Sequence, residues 1–476
     1  MPTSPSEPYE PFDLAVVGAG PAGLAAAVTA AEFGLRCALL DAGPRPGGQY
    51  YRHPAPGLRA AHPEKLHHGW GAFTALSARL ERQTGLGRIS YLTEHQVWTA
   101  EHGELWRLHA TTGPGAEGKA VVPARAVLLA TGAYERQLPF PGWTLPGVVT
   151  AGGAQAMLKA GLVLPGKRIV VAGSGPLLLA AASSLVTAGG HVPAVVEATD
   201  YLGYAKGVGT LLANPAKLVE GAEHGTKLLR HGVRLRRSSA VVEAHGTDRV
   251  TGVTIARLDR EWRPVPGTER YVECDALAVG HGLVPQIELA TELGAATREL
   301  PDGTVGLRVD PELRTSLPSL WAAGETCGVG GADLAIAEGE LAAHVIAGRD
   351  VPGALRAKQQ RRRAFARLMA RSHRPGPGWP EWLTPETDVC RCEEVPAGRI
   401  REAVEDLGAG DARTVKLLTR AGMGWCQGRM CGPAVACLAG EAGARADSRP
   451  LACPVPLGQL AAVPAAGAAD AADPTD

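Results

Sequence analysis

The chain has 476 residues, enough for about three domains, and its 48 basic residues balance 48 acidic ones, so the formal net charge is zero. A balanced chain lacks the basic surface that would attract nucleic acid or an acidic membrane, and we expect neither as a partner. Glycine and proline are frequent, but 45% of the residues are apolar and no G-X-Y period occurs, which excludes collagen and general disorder.

The first residues contain neither a basic stretch nor an apolar segment, so no secretory signal and a cytoplasmic location are predicted. Two uncharged runs, at residues 14–31 and 169–196, are long enough to cross a membrane. Each is interrupted by Gly-x-Gly-Pro after a short apolar stretch, a break that would leave backbone groups unsatisfied in a bilayer. Both runs are therefore predicted to form a strand, a tight turn and a buried helix, without membrane insertion.

Residues 12–41 predict a strand, a helix and a second strand, with the sequence GAGPAG between the first two. The first glycine allows a tight turn, the second a close approach to a pyrophosphate, and the third close packing of helix on strand. The helix N-terminus offers partial positive charge to the phosphates. Asp41 ends the second strand and would accept the ribose hydroxyls. The residues of GAGPAG expected to bind a dinucleotide are Gly18, Gly20, Pro21, Ala22 and Gly23.

The middle of the chain repeats this pattern. A helix from residue 63 to about 85 and strands over 89–101, 103–112 and 120–132 are predicted first. Residues 168–197 then form a second strand–helix–strand unit about 155 residues after the first, so the repeat spans a whole domain. Buried strands are expected at 275–285 and 317–325, and a helix at 332–348. A basic stretch at 356–374 is predicted to be a solvated helix linking domains, or else a partner contact.

The second repeat keeps Gly173 and Gly175 but has Leu178 at the third glycine position. A leucine there holds the helix away from the strand and narrows the room for a pyrophosphate. Glu197 ends the next strand and would repel a 2′-phosphate, so NAD is favoured over NADP if a nicotinamide nucleotide binds. A structural relic and a site for another adenine nucleotide remain open alternatives.

Four cysteines form two close pairs near the C-terminus: Cys390 with Cys392, and Cys426 with Cys431. Thiolates in such pairs bind zinc or an iron–sulfur cluster, although structural zinc sites more usually have CxxC spacing. Cys437 is a weaker fifth candidate. The isolated cysteines Cys37, Cys274 and Cys327 are predicted to be mainly buried and structural.

The motif GAGPAG, the sequence ATG at 130–132 and the sequence TSLPSLWAAGE resemble the two-dinucleotide-binding flavoproteins typified by glutathione and thioredoxin reductases, over about 12–350. The resemblance implies FAD and an α/β fold with two Rossmann-like domains. It implies that Glu325, in place of the family's Asp, contacts the ribityl chain, and that the helix after Gly331 meets the flavin pyrimidine edge. The cysteine pair that disulfide reductases carry beside the flavin is missing. Further FAD contacts are implied for Gly48, Gln49, Arg52, Thr131, Gly132, Gly324, Glu325 and Gly331.

The sequences VCRCEEV and TRAGMGWCQGRMC resemble the small helical bacterioferritin-associated ferredoxin-like domain, which implies that the four paired cysteines hold a [2Fe–2S] cluster.

The resulting division of the chain is a flexible N-terminus at 1–11, an FAD-binding domain in two parts at 12–150 and 286–350, an NAD(P)-type nucleotide domain at 151–285, a basic helix and linker at 351–387, a [2Fe–2S] domain at 388–440, and a largely disordered tail at 441–476.

The combination of GAGPAGLAAA, DAGPRPGGQYYR, GSGPLLLAAA and the C-terminal cysteine domain resembles the α, or A-type, subunits of bacterial heteromeric amine dehydrogenases, such as opine oxidase, hydrogen cyanide synthase, and proline and hydroxyproline dehydrogenases. It implies an electron-transfer subunit that passes electrons to a respiratory-type acceptor after receiving them from an FAD-containing, amine-oxidase-like β subunit. The resemblance also implies that the complex holds this chain at the periphery of the inner membrane. It further implies a small ferredoxin-like γ subunit as a partner. No catalytic residue is assigned, and the amine is not predicted.

Two other functions remain open. A stand-alone NADH-dependent flavoprotein reductase would use the second repeat as its nucleotide site. A binding module would use the cysteine domain to recognise an iron-storage protein.

Overall fold

The structure is a computed structural model that describes residues 9–441, 449 and 451–461. The predictions of a flexible N-terminus and a disordered tail concern mainly residues 1–8, 442–448, 450 and 462–476, which lie outside the described residues. The described part of the tail differs from the expectation. The N–H of Ala452 donates to the carbonyl oxygen of Trp98 at 2.9 Å, and Cys453 is buried.

Two sheets with helices packed on them confirm the predicted α/β class with two Rossmann-like domains. The elements of the first domain begin with β1 (Phe12–Val17), α1 (Pro21–Glu32), β2 (Cys37–Leu40), α2 (Trp70–Gly85), β3 (Ile89–Leu92), β4 (His95–His102), β5 (Trp106–Thr112) and β6 (Gly118–Leu129). The strand predicted over 89–101 is two strands, because Glu94 between them has a positive φ of 54°. The helix predicted from residue 63 begins as an α-helix only at Trp70.

The second domain follows directly in the chain. Its elements and the strands that lead into and out of it are β7 (Ala133–Glu135), β8 (Val148–Thr150), α3 (Ala151–Gly161), β9 (Ile169–Gly173), α4 (Pro176–Thr187), β10 (Ala194–Glu197), α5 (Val208–Leu212), α6 (Pro215–Arg230), β11 (Arg234–Arg236), β12 (Ser239–His245), β13 (Gly252–Arg257), β14 (Arg270–Glu273), β15 (Ala276–Gly280) and β16 (Leu283–Pro285).

The chain then returns to the first domain and ends in the cysteine-bearing domain. The remaining elements are α7 (Glu288–Glu292), β17 (Thr297–Glu299), β18 (Val305–Leu307), β19 (Leu320–Ala322), α8 (Ala332–Ile346), α9 (Gly353–Ser372), β20 (Asp388–Cys390), β21 (Val395–Pro396), α10 (Ala397–Glu405), α11 (Ala412–Thr419), α12 (Gly432–Leu438) and α13 (Leu457–Ala461).

The first sheet has the strand order β3-β2-β1-β6-β5-β4, and β19 pairs with β6. Strands β3, β2, β1, β6 and β19 are parallel to one another, whereas β5 and β4 form an antiparallel extension beside β6. The second sheet is parallel, with the order β11-β10-β9-β15-β8, so β8 belongs to it although the predicted boundary at residue 150 placed it in the first domain. The antiparallel pair of β7 and β16 forms the two crossings between the domains.

Small residues bring the two halves of the first domain together. Residues 22–31 of α1 are all buried, and a Cβ at Gly339 of α8 would lie 2.1 Å from the carbonyl oxygen of Ala22. A Cβ at Gly324 would lie 3.0 Å from the Cβ of Ala22. The late loop predicted to bind flavin therefore lies against the start of α1, next to the GAGPAG loop.

The basic stretch forms α9, and the interpretation of it as a solvated linker is only partly right. Most of its arginines are exposed, but Arg363 is buried, and so is His373 just after the helix. None of the helices within the described ranges is both long enough and apolar enough to span a membrane.

Candidate functional site

The loop between β1 and α1 lies at the carboxyl end of the first sheet. A Cβ at Gly18 would lie 2.4 Å from the carbonyl oxygen of Ala130, and one at Gly23 would lie 1.8 Å from that of Gly18, so neither position admits a side chain. Gly20 borders open space, with no described atom within 4 Å of a Cβ there. Helix α1 begins at Pro21, and no side chain in the described part of the chain caps its first amides. These amides can bind a phosphate.

Asp41 lies beside this loop, as predicted. Its Oδ2 accepts the N–H of Ala19 at 2.5 Å, and its Oδ1 accepts that of Gly43 at 2.7 Å. Burial raises the pKa of this carboxyl above its usual value. A carboxylate oxygen accepts more than one hydrogen bond, so Asp41 can order the loop and also accept a ribose hydroxyl.

The segment after Asp41 folds back onto the same loop. A Cβ at Gly48 would lie 2.9 Å from the Cα of Gly20. Gln49 Oε1 accepts from Arg52 Nε at 3.2 Å and from Nη2 at 2.7 Å. The structure thus brings Gly48, Gln49 and Arg52 together, next to the GAGPAG loop between β1 and α1. The carbonyl oxygen of Arg52 also lies 2.6 Å from His67 Nε2.

The end of β6 joins this group of loops. Thr131 Oγ1 donates to the carbonyl oxygen of Gln286 at 2.6 Å, and the N–H of Gln286 donates to that of Gly132 at 2.9 Å. Thr131 and Gly132 therefore fix the position where the chain returns from the second domain. The hydroxyl of Thr131 is thus used within the protein, and the FAD contacts of Thr131 and Gly132 stay a prediction.

Glu325 takes a position that the sequence did not predict. Its Oε1 accepts the N–H of Gly331 at 2.8 Å, and its Oε2 accepts that of Gly330 at 3.2 Å. Burial raises the pKa of this carboxyl. The extra methylene relative to Asp lets the carboxylate reach the loop before α8, so its contact with the ribityl chain stays a prediction.

A buried ion pair supports the loop at residues 324–331, which is called the flavin loop below. The sequence analysis did not predict this ion pair. Glu338 on α8 is fully buried, and Arg363 on α9 donates to it through Nε at 3.1 Å and also through Nη2. Glu338 accepts the N–H of Gly324 at 3.0 Å, and Arg363 Nη1 donates to the carbonyl oxygen of Gly328 at 2.7 Å. The pair thus holds both ends of the loop. Three acidic residues lie within the helix 332–348, and nothing local in the sequence distinguishes Glu338 from Asp333 and Glu340.

Lys159 is a second buried charge that sequence patterns did not indicate. It lies on α3 of the second domain, and its Nζ donates to the carbonyl oxygen of Tyr50 at 3.3 Å. The Nζ also lies 5.6 Å from the centre of the Tyr50 ring. Burial lowers the pKa of Lys159 to about 8. The second domain therefore places a partly desolvated amine against the segment that carries Gly48 and Gln49.

The second nucleotide loop is engaged by the chain itself. Glu197 Oε2 accepts the N–H of Gly175 at 3.1 Å, and Oε1 accepts the hydroxyl of Thr199 at 2.6 Å. The Nδ1 of His373, just after α9, lies 3.6 Å from Glu197 Oε1 and 3.1 Å from Ser174 Oγ. Burial by itself would raise the pKa of Glu197, but the adjacent His373 imidazole and the hydrogen bonds from Thr199 lower it below its usual value.

The carboxylate of this second site is more enclosed than Asp41 of the first, which is partly exposed. The carboxylate that would accept the ribose is only 1% exposed, and His373 lies against it. Leu178 fills the position of the third glycine and is also 1% exposed. A Cβ at Gly173 would lie 1.7 Å from the carbonyl oxygen of Gly280, so this glycine serves strand packing. The residues predicted for a second nucleotide are therefore close together, but they bind one another.

The four paired cysteines come together in two contacts. Cys392 Sγ lies 3.8 Å from Cys426 Sγ, and Cys390 lies against Cys431. The thiol of Cys431 lowers the pKa of Cys390 to about 5, with help from the backbone N–H groups of Gly422, Glu393 and Cys392. Cys437 instead contacts Trp379, which removes it from the ligand set.

This arrangement suits a two-iron cluster better than zinc. Two thiolates about 2.3 Å from one tetrahedral metal lie about 3.8 Å apart, which matches Cys392 and Cys426. Within the described residues, no three His, Cys, Asp or Glu side chains meet at one ion position. Two pairs of sulfurs, each able to serve one metal, are what a [2Fe–2S] cluster needs, whereas zinc needs four ligands on one ion.

The cysteine domain packs directly on the nucleotide-binding half. Trp143 Nε1 donates to the carbonyl oxygen of Asp388 at 2.6 Å, and the Arg391 guanidinium lies 5.6 Å from the Trp143 ring centre. In the loop between Cys426 and Cys431, Arg429 Nε lies 3.0 Å from Glu288 Oε1. The cluster loop therefore contacts α7, which follows the crossing from the second domain.

Comparison with known proteins gives two family matches. The model described as pyridine nucleotide-disulphide oxidoreductase matches residues 12–340, and the BFD-like [2Fe-2S] binding domain matches residues 389–439. FAD and a [2Fe–2S] cluster are the cofactors that these two matches imply, as predicted from the sequence.

Relatives match along most of the chain. Hydrogen cyanide synthase subunit HcnB of Pseudomonas aeruginosa is 36% identical over 430 residues, which are 87% of this chain and 90% of that protein. The A-type subunit of opine oxidase from Agrobacterium tumefaciens is 32% identical over 441 residues, 89% of this chain and 84% of that protein. The crystal structure of L-proline dehydrogenase from P. horikoshii covers 95% of this chain and 79% of its own, with a TM-score of 0.65 and 20% identity, which shows a shared fold.

Proposed function

The chain belongs to the pyridine nucleotide-disulphide oxidoreductase family, and we propose that it is the FAD- and [2Fe–2S]-containing electron-transfer subunit of a heteromeric amine or imino-acid dehydrogenase. Its relatives from hydrogen cyanide synthase and opine oxidase are subunits by name. One observation carries the proposal: an FAD-type domain and a cluster domain lie in contact within one chain, through Arg429 and Glu288.

The proposed division of labour assigns the amine to a different protein. A β subunit of the amine-oxidase type, with its own FAD, removes a hydride from the C–H bond beside the amine nitrogen, and water hydrolyses the resulting imine. The substrate is an opine, proline, hydroxyproline or glycine. Electrons then pass through this chain to a respiratory-type acceptor, and a small ferredoxin-like γ subunit is a further carrier in this class of complex.

When bound, FAD exchanges electrons singly or in pairs, and a [2Fe–2S] cluster exchanges them singly. In the proposal, the amides at Gly20 and the start of α1 bind the pyrophosphate, and Asp41 accepts the ribose hydroxyls. Glu338 and Arg363 hold the loop at Gly324 in position for the flavin. Residues Cys390, Cys392, Cys426 and Cys431 hold the cluster.

The surface beside the cysteines supports contact with an electron-transfer partner. Trp425 precedes Cys426 and is 84% exposed, and Cys392 is also exposed. An exposed large aromatic side chain is typical of the energetically important part of a protein interface. We propose that a partner subunit covers this edge. All nine cysteines are free thiols, in keeping with the reducing cytoplasm, where we place the complex.

The test compares this chain alone with the reconstituted pair. The purified chain, loaded with FAD and cluster, is incubated with octopine, proline or glycine and an artificial dye acceptor, with and without an amine-oxidase-like β subunit that carries its own FAD. We expect dye reduction only with both proteins present. Amine oxidation by this chain alone at the rate of the pair would refute the proposal.

A further inference from the structure

The C-terminal end of α9 lies in the place where a nucleotide would bind the second domain. His373 Nδ1 lies 3.1 Å from Ser174 Oγ in the glycine loop and 3.0 Å from Thr199 Oγ1, which follows the second strand. His373 Nε2 lies 2.5 Å from the Tyr204 hydroxyl. One buried histidine therefore contacts three segments: the glycine loop at Ser174, the residues after β10 at Thr199, and the segment before α5 at Tyr204.

We infer that α9 permanently fills the second nucleotide-binding site, with His373 in the place of the nucleotide ribose, and that NAD and NADP do not bind there. The inference goes beyond the proposed function, because it removes pyridine nucleotides as electron donors whatever the partner subunit is. It also removes the site that a stand-alone NADH-dependent reductase would need.

The two sites of this chain provide an internal comparison. Asp41 in the first site accepts hydrogen bonds from the backbone amides of Ala19 and Gly43, at 2.5 and 2.7 Å. Glu197 in the second site accepts from Gly175 and Thr199 and also lies against His373. A ribose can therefore compete with solvent in the first site, but must displace a buried imidazole in the second.

Helix α9 is held in place by contacts with two other parts of the chain. A Cβ at Gly207 would lie 2.5 Å from Leu368, and one at Gly203 would lie 2.9 Å from Ser372. The segment before α5 thus lies directly on α9. In the middle of the same helix, Arg363 forms a buried ion pair with Glu338 of α8. Displacing α9 for a nucleotide would disturb this buried pair, so the helix is a fixed part of the site.

The first measurement uses the full chain with FAD and cluster bound. Equilibrium dialysis with labelled NAD⁺, and anaerobic mixing with NADH, test the second site directly. We expect no saturable binding up to about 1 mM and no bleaching of the flavin by NADH. Saturable binding of NAD⁺ in that range, or rapid bleaching by NADH, would overturn the inference.

The second measurement tests His373 itself. His373→Ala should increase trypsin cleavage within α9, which is rich in arginine, by about fivefold, because local opening becomes easier. His231→Ala is the matched control: His231 also lies just after a helix, but it is exposed and its Nδ1 lies 2.8 Å from the carbonyl oxygen of Lys227 in the same helix, so cleavage within α9 should not change. Equal cleavage of His373→Ala and wild type would overturn the assignment. If His373→Ala does not fold, Tyr204→Phe removes the Nε2 partner alone and should increase cleavage in the same direction, and no increase would again overturn it.

Discussion

Arg429 Nε lies 3.0 Å from Glu288 Oε1, and the two side chains are only 17% and 11% exposed. Arg429 belongs to the loop between Cys426 and Cys431, whereas Glu288 begins α7, which follows the crossing from the second domain. Arg429 also donates to the carbonyl oxygen of Ala452. This mostly buried ion pair joins the two cofactor-binding parts of the chain.

The two glycines of the first loop should respond differently to alanine. Gly20→Ala has open space for its methyl group and a negative φ, so the free energy of unfolding should hardly change, while FAD binding weakens because the methyl group meets the pyrophosphate. Gly23→Ala should lose both stability and FAD, since its methyl group would lie 1.8 Å from the carbonyl oxygen of Gly18. FAD content and denaturant unfolding of the apoprotein measure this, with Gly71→Ala on α2 as a neutral control. Equal FAD content in Gly20→Ala and wild type would contradict the assignment.

Arg363→Ala should destabilise the protein by about 3–5 kcal/mol, because Glu338 would remain buried without its partner. Loss of FAD should accompany this, since the same pair fixes the loop at Gly324. Chemical unfolding and the flavin-to-protein absorbance ratio report the two effects. Arg361→Ala, at an exposed position of the same helix, should leave both unchanged. Wild-type stability in Arg363→Ala would show that the ion pair is not important.

Cys390→Ser and Cys426→Ser should each remove the visible absorbance of the cluster and leave FAD bound, because each takes one sulfur from a different pair. Cys437→Ser is the control: this thiol contacts Trp379, away from the ligand pairs. Iron and sulfide content of the purified variants provides a second readout. A full cluster in both ligand variants would refute the assignment.

Lys159 should make stability depend on pH above neutrality. Its pKa is about 8 in the folded chain and 10.5 as the ordinary value, so the unfolded chain holds more protons between these pH values. The free energy of unfolding of the apoprotein should therefore rise with pH across this range, by about 3 kcal/mol at most. Lys159→Met should lack this rise, whereas Lys167→Met, at an exposed position, should keep it. The same pH dependence in Lys159→Met and wild type would contradict the prediction.

Local patterns were sufficient for the fold and for the loops. The period of apolar residues and the glycine spacing predicted both strand–helix–strand units, because those signals are contiguous in the sequence. The cysteine pairs were equally clear, since each pair is local and its spacing is specific.

Contacts between distant segments were not predictable in the same way. Arg363 lies within a basic run whose other arginines are largely exposed, so nothing local distinguishes it from them. The occupation of Glu197 by His373 joins residues 176 positions apart, and only the docking of α9 on the second domain creates it. The backbone contacts of Glu325 were not predicted for a different reason. One additional methylene, compared with Asp, lets its carboxylate accept hydrogen bonds from the N–H groups of Gly330 and Gly331.

In the proposed function, electrons pass between FAD and the cluster within this chain. This transfer is measured by photoreducing the flavin in the fully loaded protein and following the cluster's absorbance and electron paramagnetic resonance signal. We expect the cluster to be reduced at a rate that does not depend on protein concentration. Arg429→Met should slow that rate several-fold, while Arg399→Met, which removes an exposed ion pair with Glu402, should not. A rate proportional to protein concentration, or a cluster that stays oxidised beside reduced flavin, would refute electron transfer within the chain.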